Sequence, residues 1–176
     1  MKEYDRMNKI VIRGEKMKIR LATPEDIPEM KKVFDIARVF QLDNGIIQWA
    51  EGYPSKELIL EDIKLSAAYV AFNTEEELIG VLSVFTDPDP TYFEIDGEWL
   101  NDEPYATVHR IASNGKEKGV GQELLKWVQK SHSNIRIDTH KDNQPMKHVL
   151  EKLDFQYTGV ITLDNGEFRD AYHYIK

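Results

Sequence analysis

The sequence predicts a mixed α/β (α+β) fold: one mostly antiparallel central sheet of about seven strands flanked by about four helices. Three observations carry that prediction. Apolar runs of strand length interleave with stretches of helical spacing along the whole chain. Asn165-Gly166 lies between two apolar and aromatic runs, a strong hairpin signal. At 106–129 an apolar strand passes through a basic glycine loop straight into an amphipathic helix.

Taken in order, Lys18–Ala22 alternates as a short strand. Thr23-Pro24-Glu25-Asp26 starts a helix: Thr23 caps, proline takes the first helical position and acids fill the first turn. Ile27, Met30, Phe34 and Ala37 follow at helical spacing, and Asp43-Asn44-Gly45 ends the segment. Ser55 caps a second helix with Leu58, Ile59, Ile63 and Leu65 as its apolar stripe. Ala68–Phe72 and Leu78–Phe85 form an antiparallel hairpin around Asn73–Glu77. Asp87-Pro-Asp-Pro90 breaks the chain, and an acidic segment leads into the 106–113 strand. Val120, Leu124 and Val128 face one way on the next helix, and Ile135–Thr139 is a strand. Asn143 opens a last helix with Met146, Val149, Leu150 and Leu153 in its stripe; Tyr157–Leu163 and Phe168–Ile175 close the chain as a hairpin.

The 176 residues suit one domain with one core, residues 17–176, preceded by an N-terminal extension, 1–16, read as an arm, an added strand or an expression remnant. With no cysteine, disulfides, thiolate ligands and a cysteine nucleophile are excluded, which fits a reducing, cytoplasmic setting. No apolar run is long enough to span a membrane, and no apolar signal region stands at the start. A net charge of −8 argues against nucleic acid as a partner, because phosphate backbones demand a basic face. That charge is unevenly placed. From Asp87 to Glu103 there are seven acids and no lysine or arginine, whereas bases are frequent from Lys116 to Lys152. One half suits an anionic cofactor and the other a cationic substrate.

The loop Lys116-Glu117-Lys118-Gly119-Val120-Gly121 has the chemistry for the anion. Its glycines let backbone N–H groups approach a ligand with no Cβ in the way. The opening amides of a helix lack internal acceptors and carry the positive end of its dipole, so a phosphate fits there beside the lysines. The loop is neither a P-loop, which needs Gly-Lys-Ser/Thr, nor a dinucleotide fingerprint, whose third glycine is absent.

The element order together with this loop resembles the GNAT superfamily of N-acetyltransferases, whose motif is Arg/Gln-x-x-Gly-x-Gly/Ala after an apolar strand. Lys116 to Gly121 matches it except at the first position, and Asn143 to Gly159 is similar to the family's asparagine-led helix and following strand, with Asp154 where glycine is usual. The resemblance covers Met17 to the C-terminus. It implies a GNAT-like acyl-CoA N-acyltransferase fold and acetyl-CoA (coenzyme A) as cofactor. By that analogy the amides of Lys116, Glu117, Lys118, Gly119, Val120 and Gly121 hold the pyrophosphate. The strand backbone at His109 and Ile111 pairs with the pantetheine arm, and Asn143 meets the cofactor where the 106–113 and 135–139 strands splay.

Moving an acetyl group to an amine requires a neutral nucleophile, a polarised thioester carbonyl and a proton for the departing thiolate. An alkyl amine with a pKa of about 10.4 is neutral only about one part in a thousand near neutrality, so a base is needed. His140 with Asp138 is the first choice, two residues apart and so on one strand face; His109 is the second, and Glu103 also lies close in sequence. Family members often carry an acid tyrosine on the last helix; here Leu150 stands there, leaving the proton to Tyr157 or solvent. Asp138, His140 and Asp142 do not make a metal site without a forced third ligand, so no metal is expected.

The acceptor is expected to be a small-molecule or peptide amine, cationic, drawn by Asp96 and Glu98 into a pocket walled by Trp49, Tyr53 and Trp99, and attacking directly in a ternary complex. Neither membrane nor nucleic acid is expected as a partner, and the C-terminal hairpin would suit a homodimer. A non-catalytic acyl-CoA sensor, favoured by the missing helix tyrosine, is the alternative.

Overall fold

The computed structural model describes residues 17–176; the expected extension, 1–16, lies outside the described residues. In chain order the strands are β1 (Lys18–Leu21), β2 (Ala68–Phe72), β3 (Leu78–Phe85), β4 (Asp96–Gly97), β5 (Ala106–Ser113), β6 (Asn134–Thr139), β7 (Gln156–Thr162) and β8 (Phe168–Ile175). The helices are α1 (Ile27–Asp43), α2 (Lys56–Lys64), α3 (Val120–Ser131) and α4 (Gln144–Lys152). The strands form one sheet in the order β1-β2-β3-β5-β6-β8-β7-β4. Every pairing is antiparallel except β5 with β6. No described helix is long and apolar enough to cross a membrane.

Local signals place most of these elements. Ser55 Oγ accepts the Leu58 N–H at 3.1 Å and Asn143 Oδ1 accepts that of Met146 at 3.2 Å, so both polar caps work as their sequences require. At α1 the proline-led start is a 3-10 turn, Pro24–Asp26, with the Asp26 carboxylate taking the Thr23 N–H at 2.7 Å and Arg20 alongside. Val120, Leu124, Leu125 and Val128 of α3 are buried against β3 and β5. Each such side chain withdrawn from water contributes about 1.5–3 kcal/mol, so this helix is held mainly by packing.

One expectation needs correction. The α2 stripe is narrower than its spacing promised: Leu65 lies beyond the helix and is exposed, while Asp62 is buried because it has a cationic partner. The sheet, expected to have about seven strands, has eight among the described residues, since the acidic segment adds the short β4, pairing Gly97 with Gly159 on β7. Both glycines have φ near +140°, and a Cβ on either would collide with the backbone of the other strand. Two residues this short leave no periodic trace to read.

The β5–β6 pair positions the site. Its parallel register covers only Ala106 with Ile135 and Thr107 with Arg136. Beyond it the strands part, and the C-terminal halves of both open onto a split in the middle of the sheet.

Candidate active site

The wall of the split is shaped by a bulge. On β3, Val81 faces Ala112 and Ser83 faces His109, so Arg110 and Ile111 together oppose the single residue between. Arg110 has φ of +53°, a left-handed conformation costing about 1–2 kcal/mol for a residue with a Cβ. Its guanidinium is anchored by a bidentate pair with buried Asp62, at 2.7 and 2.8 Å, and Asp62 also accepts the Ser83 hydroxyl at 2.6 Å. A bulge breaks strand alternation and re-aims side chains. Here three consecutive residues, His109, Arg110 and Ile111, all line one cleft of about 530 Å³.

His109 is the centre of its polar wall. Its Nε2 lies 2.6 Å from Asp89 Oδ2, and its Nδ1 lies 4.0 Å from Asp138 Oδ2. Burial pushes the Asp89 carboxyl up, but hydrogen bonds from His109 and Thr91 outweigh it and hold the group down at about 2. Asp89 is therefore an anion that only accepts, so Nε2 carries a proton toward it. Asp138 Oδ2 accepts the hydroxyl of buried Tyr92 at 2.7 Å. Burial first, then the Asp138 charge, pushes the Tyr92 phenol well above its ordinary range, so it stays protonated as a donor. The result is a notch in which His109 Nδ1 stands 4.0 Å from the carboxylate oxygen Asp138 Oδ2.

The α1–α2 connection closes the opposite side. Trp49 packs edge-on against buried Phe34 and tilted against Tyr53, and both Trp49 and Tyr53 line the cleft. Gln48 fastens this connection to the split. Its Oε1 accepts from Asn143 Nδ2 at 2.9 Å, from Thr139 Oγ1 at 3.2 Å and from the His140 N–H at 3.3 Å.

A second cavity, of about 500 Å³, runs from this neck to the glycine loop. Ile36 and Phe40 of α1, Ile111 of β5, and Met146 and Val149 of α4 give it apolar walls. At its far end stand Lys118, Gly119 and Gly121 at the mouth of α3. Gly119 caps that helix with φ of +81°, and a Cβ built there meets nothing within 4 Å. Open space in front of unpaired helix amides is what a diphosphate requires. The two cavities share Gln41, Ile111, Asn143 and Met146.

Within the loop the roles divide. The Lys116 N–H donates to Asn114 Oδ1 at 3.1 Å, its ammonium pairs with Glu77, and Glu117 accepts from Asn73 at 2.9 Å. These contacts shape the turn, leaving Lys118 and the α3 amides toward the groove. Asn143 lines both cavities, and both ends of its amide are engaged, by the α4 cap and by Gln48.

Several expected residues fall elsewhere. The Asp138–His140 pair does not form. β6 ends at Thr139, so alternation no longer governs His140, whose Nδ1 accepts the Asp142 N–H at 3.2 Å outside the cleft lining. Asp138 faces Tyr92 and His109 instead. Trp99 is a core plug: its indole donates to the Tyr92 carbonyl at 3.0 Å and its ring stacks under Arg136 at 4.4 Å. Asp96 and Glu98 are exposed; Asp96 borders a separate depression with Phe93 and Phe168. Glu103 is exposed, and Tyr157 projects from β7 against Tyr172. Leu150 is fully buried core. Sequence reasoning missed Asp89, Tyr92, Gln41 and Gln48. Asp89 had a signal, since Asp-Pro marks a turn and Asp89 Oδ1 indeed takes the Thr91 N–H at 2.9 Å.

A split sheet with a bulged strand, a glycine-led helix mouth and a half-open cleft with polar side chains is an arrangement suited to a thiol-borne group and its acceptor. The comparisons agree. The chain is similar to a GNAT-family acetyltransferase from Streptococcus agalactiae, with 34% identity, 96% of this chain and 99% of that one covered, and a TM-score of 0.86. It thus belongs to the GNAT family. A GNAT-family acetyltransferase from Listeria monocytogenes shares the fold at 19% identity, with 96% of this chain and 100% of that one covered and a TM-score of 0.70. So does the PaiA N-acetyltransferase of Thermoplasma acidophilum, solved in complex with coenzyme A, at 18% identity, with 92% and 100% covered and a TM-score of 0.62. No family profile and no curated protein matches the sequence.

Proposed function

We propose that this protein transfers the acetyl group of acetyl-CoA to the primary amine of a cationic small-molecule or peptide acceptor, by direct attack in a ternary complex. One observation carries the reading: the glycine-loop groove and the His109 cleft meet at a single neck, below the point where β5 leaves β6. A thiol carrier lying in the groove presents its end to the cleft. The groove fits such a carrier in its dimensions, apolar walls and amide-lined mouth. When bound, acetyl-CoA supplies the activated acetyl thioester.

The chain's own residues supply the rest. Asp138, supported by Tyr92, attracts an ammonium into the notch, and His109 Nδ1 takes its proton. Asp89 holds the imidazole in the Nε2–H tautomer and stabilises the cation that forms. Trp49 and Tyr53 shield the nucleophile from water on the far side, and a β5 N–H beyond the bulge is suited to receive charge on the carbonyl oxygen. Attraction for a cation rests here on Asp89 and Asp138 rather than on Asp96 and Glu98. Thiol release assayed over a panel of primary amines, with mass spectrometry locating the acetyl group, tests the reading.

A sensor function has one observation in its favour. No tyrosine is among the four residues shared by groove and cleft, and the last helix offers buried Leu150 in place of an acid. Tight acetyl-CoA binding with no thiol release on any amine would favour it.

A further inference from the structure

Gln41, in the last turn of α1, continues the spacing of Ile27, Met30, Phe34 and Ala37 but is polar. It is only 8% exposed, and its Oε1 is buried with no hydrogen-bond partner. Its backbone is well used: the Gln41 carbonyl accepts from Asn44 and Ile46 at 3.1 and 2.8 Å, which turns the chain out of the helix. The side chain is different. A buried amide oxygen left unpaired loses its hydration without a replacement partner, so folding alone would favour methionine or leucine here. Gln41 also lines both cavities at the neck, where its three companions have no comparable group to offer: Ile111 and Met146 are apolar and the Asn143 amide is engaged.

A half-turn about the soft terminal torsion exchanges the two ends of the amide, so the neck can be offered a donor or an acceptor. The acceptor amine already has Asp89, Asp138 and His109 within the cleft. A secondary amide crossing the apolar walls of Ile36, Phe40 and Val149 has far fewer partners. We propose that the Gln41 carboxamide pairs with an amide of the coenzyme's pantetheine arm as it enters the neck, and so positions the thioester end. This rests on the acetyl-CoA reading above.

Calorimetric titration with two ligands tests it: acetyl-CoA, and adenosine 3′,5′-bisphosphate, which lacks the arm. In Gln41→Met, with Gln41→Leu as a second variant, acetyl-CoA should bind about tenfold or more weaker, while the bisphosphate changes less than about twofold. The ligand-free Tm should hold or rise, because an unpaired buried group has been removed; a residue kept for packing would lower it. Unchanged acetyl-CoA affinity overturns the inference, as does an equal loss for both ligands. A rise in amine KM with acetyl-CoA affinity intact also overturns it, by assigning Gln41 to the acceptor. Those results leave the cofactor reading intact. A wild-type protein that binds neither ligand ends both.

Discussion

The mouth of α3 and the notch around His109 stand on two cavities that share a neck, and they are built from different material. The mouth is backbone: helix amides, a left-handed Gly119 and open space before it, all within residues 114–121. The notch is side chains brought from β5, β6 and the 89–92 turn, fastened by a buried ion pair from α2. A backbone site tolerates changed side chains but not a changed turn. A side-chain site depends on each charge it holds.

The largest effect should fall on the notch. His109→Gln is expected to lower kcat by about 10²–10⁴-fold while leaving the acetyl-CoA Kd within about twofold, read by thiol release and calorimetry. A matching loss of acetyl-CoA binding would erase the division between the two regions. Close behind, Asp62→Ala strands Arg110 as a buried cation and should cost about 3–5 kcal/mol in chemical denaturation. A loss near zero would mean that the bulge is held by something other than this pair.

Acid should probe the sheet behind the notch. His173 accepts the Leu100 N–H at Nδ1 and meets Asn134 at Nε2, and burial, aided by Arg136, lowers its pKa to about 4. Its folded value lies below the ordinary 6.5, so the unfolded chain binds the extra proton. The stability it contributes is complete above pH 6.5 and is lost as pH falls toward 4, by about 1–3 kcal/mol. Denaturation midpoints for His173→Gln and wild type should converge across that window; parallel curves would contradict the buried neutral tautomer.

At the mouth the two signs can be set against each other. Gly121→Glu places a carboxylate in the first turn of α3, which favours the helix by about 0.3–1 kcal/mol but competes with a bound diphosphate. Acetyl-CoA affinity should fall by about tenfold with Tm held or raised. Smallest of all, Asp96→Asn with Glu98→Gln should leave the KM for a cationic amine within about twofold, since both side chains lie outside the cleft. A large rise would move the acceptor's path over β4.

How far the site could be read beforehand follows from this division. The Ser55 and Asn143 caps, the α3 stripe and the glycine loop are local, each specified within one or two turns of chain. The split between β5 and β6 was expected from the resemblance, and it is present in the register. Asp138 with His140 failed because the two-residue period holds only inside a strand, and β6 stops at Thr139. The bulge likewise brings Arg110 to the wall that His109 and Ile111 line, whereas alternation alone would send it to the opposite face. Trp99 reads as a pocket aromatic in sequence and becomes a core plug once Arg136 lies over it.

From the amino-acid sequence alone came most of the element order, the helix starts and the glycine turn that opens α3, because those are encoded in spacings of a few residues and in the conformational freedom of glycine. Tertiary structure decided which imidazole, which carboxylates and which amide line the joined cavities. Asp89, His109, Asp138 and Gln41 are separated by tens of residues, and only the register of the sheet, the bulge in β5 and the close of α1 set their distances.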